Sequence, residues 1–308
     1  MRLAVQASLL VAVGITVLPP HLQAQTDPLR RILPHVRYFE APIADPLEPR
    51  LGVGLLRTNL FRTAPEGRER SRPFFVPDPD DAADDVNAFT AVGGTLPWYH
   101  VAKWSDSTGI VMGVTAGVLG RFRIEYPTRE DVGQDWFVGM PIEVAGAKWS
   151  GRFRFIHRSS HLGDEVVETT GASRIEVGGE YIDVMAAYEV LPFARVYGAT
   201  SWIFRSYTEY TPVLVARGGH DRTLVQLGAD ARAYPWINGS LGIVGGVDWR
   251  RAQRTEWKDS FAAAAGLSLK TPTRHAKLLV RYFSGVSLLE QFFLTPEKYW
   301  SVELVTDF

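Results

Sequence analysis

The sequence contains no cysteine among its 308 residues. This absence excludes a disulfide framework and any metal site built on thiolates. Net charge is also nearly absent, because 33 Lys and Arg residues balance 34 Asp and Glu residues. Such a balance argues against binding to nucleic acid through a basic surface, so we expect no nucleic-acid partner. With 46% hydrophobic residues, however, the chain is too apolar to be disordered.

Long hydrophobic runs are scarce, and the clearest one spans residues 3–18, between Arg2 and Pro19-Pro20. It is shorter than the roughly 20 residues that a spanning helix needs, and the two prolines end it, which argues against the alternative of an N-terminal membrane anchor. The pattern is typical of a secretory signal peptide with a cleavage site at residues 22–24. We therefore predict a signal peptide over residues 1–24 and a mature chain that starts at Gln25.

The mature chain starts with a proline-rich, irregular segment over residues 25–50 and then alternates between apolar and polar residues with a period of two. This alternation predicts about twelve strands. They span roughly 51–61, 87–101, 109–126, 135–145, 147–160, 177–191, 193–206, 222–235, 239–253, 258–270, 275–287 and 298–308.

Each predicted strand has one apolar face and one face with charges of both signs. In the third strand, for example, Met112, Val114 and Ala116 oppose Arg121 and Arg123. A soluble β-sandwich with its apolar face inward would show this alternation, and so would a membrane barrel with its apolar face outward. Two features favour the barrel. The strands are long enough to cross a bilayer, and short connections alternate with long ones along the chain.

The last strand carries a third indication. Trp300, Val302, Leu304, Thr306 and Phe308 share one face, and Phe308 is the final residue. This pattern resembles the carboxy-terminal strand of bacterial outer-membrane proteins, and the resemblance implies recognition by the barrel-assembly machinery. We therefore predict an all-β fold, an antiparallel up-and-down transmembrane β-barrel over residues 51–308, in the bacterial outer membrane. Averaging an apolar and a polar face would also explain the mean hydropathy of -0.05.

The predicted interior carries charges of both signs, which could pair across a narrow barrel and fill it. We favour this structural interpretation over a selective channel, whose lumen would stay open to water. The predicted interior residues are Lys148, Arg152, Arg154, Asp183, Glu189, Arg195, Asp230, Arg232, Asp248, Arg250, Lys277, Arg281, Glu303 and Asp307.

One segment could carry out chemistry. His157 and Ser159 lie two residues apart on the predicted fifth strand, so their side chains share its lipid face with Phe153 and Phe155. The segment resembles the His-x-Ser strand of outer-membrane phospholipase A and of the lipid A deacylase. That resemblance implies Ser159 as nucleophile and His157 as general base, acting on outer-membrane lipid. Both families usually place Asn after the serine, whereas this chain has Ser160.

A catalytic triad needs a third group that orients the imidazole. If paired residues on the fifth and sixth strands have numbers that sum to about 337, then His157 faces Glu180 and Arg154 faces Asp183. A carboxylate on a lipid-facing surface is costly, and pairing with His157 would account for Glu180. We therefore take Ser159, His157 and Glu180 as candidate catalytic residues, and we expect no organic cofactor.

The alternative is that this motif only braces an external loop of a structural barrel or a narrow channel. Residues 44–50 and 157–165 together resemble an uncharacterised Gram-negative envelope family, domain of unknown function number twelve-oh-seven, which implies no activity. His161, Asp164 and Glu165 could also form an external cation site, because hard cations such as calcium favour carboxylates. The acidic stretch over residues 78–85 is another weak calcium candidate.

Overall fold

The computed structural model describes residues 32–60, 85–124, 130–170, 177–206, 222–271, 275–293 and 295–307. The predicted signal peptide, most of the acidic stretch over 78–85 and Phe308 lie outside these residues. Within the described part, no helix combines the length and the apolar character that crossing a membrane would require.

The described residues form twelve antiparallel strands that close into one barrel. The strands are β1 (Leu51–Thr58), β2 (Asp85–Lys103), β3 (Gly109–Arg123), β4 (Asp131–Ala145), β5 (Trp149–Leu162), β6 (Val177–Leu191), β7 (Ala194–Ser206), β8 (Thr223–Trp236), β9 (Leu241–Ala252), β10 (Asp259–Lys270), β11 (His275–Val286) and β12 (Pro296–Asp307). Each strand pairs with its neighbours along the chain, and β1 pairs with β12 to close the barrel. The predicted fold class is confirmed.

The connections alternate as the sequence predicts. Short ones join β2 to β3, β4 to β5, β6 to β7, β8 to β9 and β10 to β11 at one end of the barrel, which we call the turn end. The opposite end, which we call the loop end, carries the remaining connections. One of them contains a short helix, α1 (Asp164–Thr170), and two others contain 3-10 turns over Gln253–Thr255 and Glu290–Phe292. Helix α1 falls within a stretch that we predicted as a loop.

The outer face of the barrel is a belt of exposed apolar side chains. Leu96, Met140 and Leu304, for example, are each more than half exposed. Large tryptophans lie near both ends of the strands, such as Trp149 towards the turn end and Trp136 towards the loop end. A continuous apolar belt between aromatic girdles is the surface that a membrane barrel presents to lipid. The barrel thus has the fold and surface of an outer-membrane protein.

The inner face carries the charges, and most of them pair with the opposite sign. Arg154 contacts Asp183 at 2.8 Å, and Arg281 contacts Glu303 at 2.7 Å. Of the predicted interior residues, Lys148 and Glu189 differ, because both are exposed near the turn end. A buried charge is costly unless it is paired, so this network of ion pairs is what allows a charged interior.

Residues 35–50, which we call the N-terminal plug, lie inside the lumen. Phe39 packs against Met185 and Tyr197, and the guanidinium of Arg152 lies 4.7 Å from the centre of its ring. Further along the plug, Ile43 packs against Leu279 of the barrel wall. The proline-rich composition predicted an irregular segment but did not indicate that this segment fills the barrel.

The plug also makes polar contacts with the wall. Asp45 accepts hydrogen bonds from Gln226 and Arg250 at 2.9 and 2.8 Å. Arg281 donates to the backbone carbonyl oxygens of Ile43 and Ala44. The two bonds from Arg281 satisfy backbone groups that have no strand partner inside the barrel. Most of the inward-facing charges therefore serve either a neighbouring strand or the plug.

A small apolar cluster covers part of the loop end. Val166 of helix α1 packs with Leu162 of β5, Val132 of β4 and Phe292 of the second 3-10 turn. Because this cluster joins elements far apart in the sequence, it holds the loop that follows β5 against the loop that precedes β12.

Candidate functional site

The candidate site lies on the outer face of β5, near the loop end. Phe153 and Phe155 are exposed on this face, and His157, Ser159 and His161 continue it towards the loop end. The intervening residues, from Arg152 to Ser160, turn inward. Alternation along the strand thus separates the motif into an outer set and an inner set with different surroundings.

On the outer face, His157 lies directly opposite Glu180 of β6. His157 Nδ1 is 3.3 Å from Glu180 Oε1, and the two side chains are 42% and 16% exposed. The same register pairs Phe155 with Ile182 and Arg154 with Asp183. The register that we assumed from the sequence is therefore confirmed, and it brings two of the three proposed catalytic side chains into contact.

Ser159 is half-buried on the same face, two residues from His157. It pairs with Trp136 of β4 and with Gly178 of β6. Gly178 is itself buried, so the β6 side of Ser159 is covered. Within the described residues no hydrogen bond joins Ser159 to His157. Catalytic hydrogen bonds are often long or misaligned before substrate binds, so this geometry does not exclude Ser159 as the nucleophile. Its assignment as the nucleophile stays a prediction.

The inner set of the same motif has a structural role. Arg158 contacts Asp135 at 3.0 Å and Glu290 at 2.9 Å, while Ser160 donates a hydrogen bond to Asp135. Gln291 closes the arrangement by donating to the backbone oxygen of Ser160 at 2.9 Å. These contacts tie β4 and β5 to the 3-10 turn before β12. Arg158 and Ser160 were not among the predicted interior residues, and the sequence did not indicate their partners.

Glu290 is the centre of this inner arrangement. Arg254, from the other 3-10 turn, donates to Glu290 at 2.8 Å, and Arg158 contacts the same carboxylate. Burial by itself would raise the pKa of Glu290, but the two guanidinium groups outweigh it and lower the pKa to about 2. Glu290 is therefore ionised at every physiological pH and holds two loop-end turns together.

The proposed cation ligands lie near the same end but are not gathered together. His161 is exposed at the end of β5, and Asp164 and Glu165 are exposed in the first turn of α1. Among the described residues, no three His, Asp or Glu side chains form a group that could hold a metal ion. The calcium site stays a prediction.

Strand β5 also connects the two segments that carried the envelope-family resemblance. Glu48 of the plug forms an ion pair with Arg152 and lies 3.5 Å from Arg154. Both arginines precede the His-x-Ser segment on the same strand. One strand thus holds the plug on its inner face and the candidate site on its outer face.

The family model described as "Protein of unknown function (DUF1207)" matches residues 78–308. The chain belongs to this family. The segment over residues 157–165 lies within the match, whereas the segment over residues 44–50 lies outside it. The family resemblance inferred from the sequence is therefore confirmed, with support from the second segment rather than the first.

No relative was found among curated protein sequences. Among solved structures, outer membrane phospholipase A from Escherichia coli is 13% identical, with 93% of this chain and 95% of that chain covered and a TM-score of 0.47. The outer membrane phospholipase of Salmonella typhi is 12% identical, with coverage of 91% and 98% and a TM-score of 0.48. The KdgM porin is 7% identical, with coverage of 84% and 98% and a TM-score of 0.41.

Proposed function

We propose that this protein is an acyl-ester hydrolase that acts on lipid of the outer leaflet of the outer membrane. Ser159 attacks the ester, His157 transfers the proton, and Glu180 orients His157. The contact of 3.3 Å between His157 Nδ1 and Glu180 Oε1 is the observation that carries the proposal. A carboxylate on an outward face near lipid is costly, and orientation of a general base gives it a purpose.

The proposed reaction follows from the order of these groups. The carboxylate of Glu180 accepts a hydrogen bond from the Nδ1–H of His157. The proton of the neutral imidazole is then on Nδ1, so Nε2 is unprotonated and can act as the base. Nε2 takes the Ser159 proton as Oγ attacks the ester carbonyl, and then returns it to the departing alcohol. Water, activated by the same nitrogen, releases the fatty acid from the acyl-enzyme. The carboxylate stabilises the imidazolium that forms in each step.

The position on the barrel fits a lipid substrate. The site lies on the outer face towards the loop end, beyond the exposed phenylalanines 153 and 155. In an outer-membrane orientation with the loop end outside, this level corresponds to the boundary between acyl chains and headgroups. Ester bonds of lipids lie at that boundary, so the substrate would reach Ser159 by diffusion within the membrane.

The test compares fatty-acid release from vesicles of outer-membrane lipid by refolded protein and its variants. We expect Ser159→Ala and His157→Ala each to lower the rate by at least about a thousandfold, as loss of a triad member does. Ser150→Ala, on the same strand near the turn end, is the matched control and should keep the rate. No release by the unaltered protein, or equal loss in the control, would contradict the proposal.

The proposal includes a route to the membrane. Removal of residues 1–24 would follow export, and the strand that ends at Phe308 would be recognised by the barrel-assembly machinery. Amino-terminal sequencing of protein from the outer-membrane fraction tests the first step, and it should read from Gln25. Deletion of Phe308 should lower the amount of folded barrel in that fraction.

A second candidate function is a non-enzymatic structural barrel, and the N-terminal plug is the observation that favours it over a narrow channel. The plug fills the lumen and is held by buried ion pairs such as Glu48 with Arg152. A structural barrel predicts silent planar bilayers and no fatty-acid release. A channel predicts conductance by the unaltered protein. The two measurements together separate the hydrolase, the structural barrel and the channel.

A further inference from the structure

We propose that a cavity in the lumen, at the loop end, binds a small organic acid, with a carboxylate joined to a short apolar body. The cavity is separate from the outer face of β5, so this inference is independent of the proposed hydrolase. It rests on three features: the size of the cavity, its apolar wall, and the positive charge among its lining residues.

The cavity lies between the tip of the plug and strands β3 to β11, and its volume is about 150 Å³. An apolar cavity of about this size is known to hold a benzene ring. Most of the exposed cavity wall is apolar, with Leu47, Ile156, Ile203, Leu288 and Phe293 among its lining residues. Size and lining therefore suit an apolar body of about six carbon atoms.

Seven cations line this cavity, and three of them, Arg222, Arg254 and Lys258, lie in or beside the 3-10 turn over Gln253–Thr255. The backbone N–H of Arg222 donates to the side chain of Gln253 at 3.3 Å, and the backbone N–H of Lys258 donates to the carbonyl oxygen of Thr255 at 3.1 Å. Arg222 and Lys258 therefore flank the same 3-10 turn that contains Arg254. Arg254 is neutralised by Glu290. Within the described part of the chain, Arg222 and Lys258 have no carboxylate partner.

The arrangement of these groups selects the ligand class. The guanidinium of Arg254 lies 5.2 Å from the centre of the Phe293 ring, so charge and apolar wall meet at one point. A carboxylate attached to an aromatic or short aliphatic body would place its charge among the three cations and its body against Phe293. The carboxylate of the ligand could accept a charged hydrogen bond from Arg222 or Lys258 without displacing any existing ion pair of the barrel.

The experiment is calorimetric titration of the refolded full chain in a neutral detergent, with benzoate as the probe. Benzyl alcohol tests the need for charge, acetate the need for the apolar body, and octanoate the limit on length. We expect benzoate to bind at one site and at least about tenfold more tightly than the other three ligands. The double variant Arg222→Gln with Lys258→Gln should weaken benzoate binding at least about tenfold. Ile203→Trp, which fills the cavity, should abolish it.

Lys103→Gln, at the turn end, is the matched control and should bind benzoate like the unaltered protein. Folding of each variant is checked by the shift in gel mobility between unheated and heated samples. No saturable heat with benzoate would overturn the proposal, and so would equal binding by the double variant or by a folded Ile203→Trp. Equal or tighter binding of acetate or benzyl alcohol would refute the amphiphilic site, and tighter binding of octanoate would refute the size limit.

Discussion

Glu48 is the residue whose alteration should release the N-terminal plug. Its side chain is almost completely buried, and Arg152 donates to both of its carboxylate oxygens. Arg154 approaches the same carboxylate at 3.5 Å. In Glu48→Gln the shape of the side chain is retained but its charge is lost. Arg152 is then left buried without the partner that compensates it.

Removal of one partner from a buried ion pair costs about 3–5 kcal/mol. The barrel strands keep all their own backbone hydrogen bonds in this variant, whereas the plug is bound to the wall through hydrogen bonds that involve side chains. The cost should therefore appear as local release of the plug rather than as unfolding of the barrel. Since about 1.4 kcal/mol corresponds to a factor of ten, the released population should rise by roughly two to three and a half orders of magnitude.

The absence of natural cysteine provides the assay. Ala44 lies in the plug and is fully buried, so Ala44→Cys introduces a single thiol that a maleimide reaches only when the plug leaves the lumen. We expect Glu48→Gln to accelerate labelling by about a hundredfold or more, while Glu168→Gln, at an exposed position of α1, leaves the rate unchanged. Equal labelling rates for Glu48→Gln and its parent would refute the argument. Conductance in planar bilayers should rise in parallel.

Two further predictions concern the loop end. Gly163→Ala would place a methyl group against the backbone carbonyl of Asp131, so it should destabilise the barrel by about 1–3 kcal/mol, measured by urea unfolding with tryptophan fluorescence. In the control Gly151→Ala the added methyl group makes only an ordinary contact, so stability should not change. Equal urea midpoints for the two variants would contradict this prediction. The lowered pKa of Glu290 means that its stabilising charge is fully present above about pH 4.5 and is lost as the pH falls through about 2. Pepsin should therefore spare the turn at Glu290–Phe292 at pH 4 and cleave it at pH 2. The variant Glu290→Gln should be cleaved at both pH values. Cleavage of the unaltered turn at pH 4 would count against the ion pair with Arg254.

The strands could be predicted because a barrel imposes one simple rule on every strand. Lipid outside and a packed polar interior require strict alternation, and this alternation is visible without knowledge of which strands are neighbours. The order of the strands then follows from short connections, since consecutive antiparallel strands pair. The position of His157 opposite Glu180 came from an assumed register, which the structure confirms, and one hairpin register governs all pairs between β5 and β6.

The contacts inside the barrel could not be predicted in the same way. Arg281 binds the backbone of Ala44 across a sequence separation of 237 residues, and Glu290 donates its backbone N–H to Asp135 across 155 residues. Neither pairing leaves a periodic signal, because an arginine on the inner face can be satisfied by any carboxylate or carbonyl that reaches it. Only closure of the barrel decides which groups meet.

The sequence by itself determined the strands, their faces and the closed antiparallel fold, since these depend on local alternation, while the contact between His157 and Glu180 followed from an assumed hairpin register that the structure confirmed. The tertiary structure decided that residues 35–50 fill the lumen and that Arg158 and Ser160 serve the loop-end turn at Glu290. The reason is that charge neutralisation in a low-dielectric interior depends on three-dimensional proximity, which sequence order does not specify.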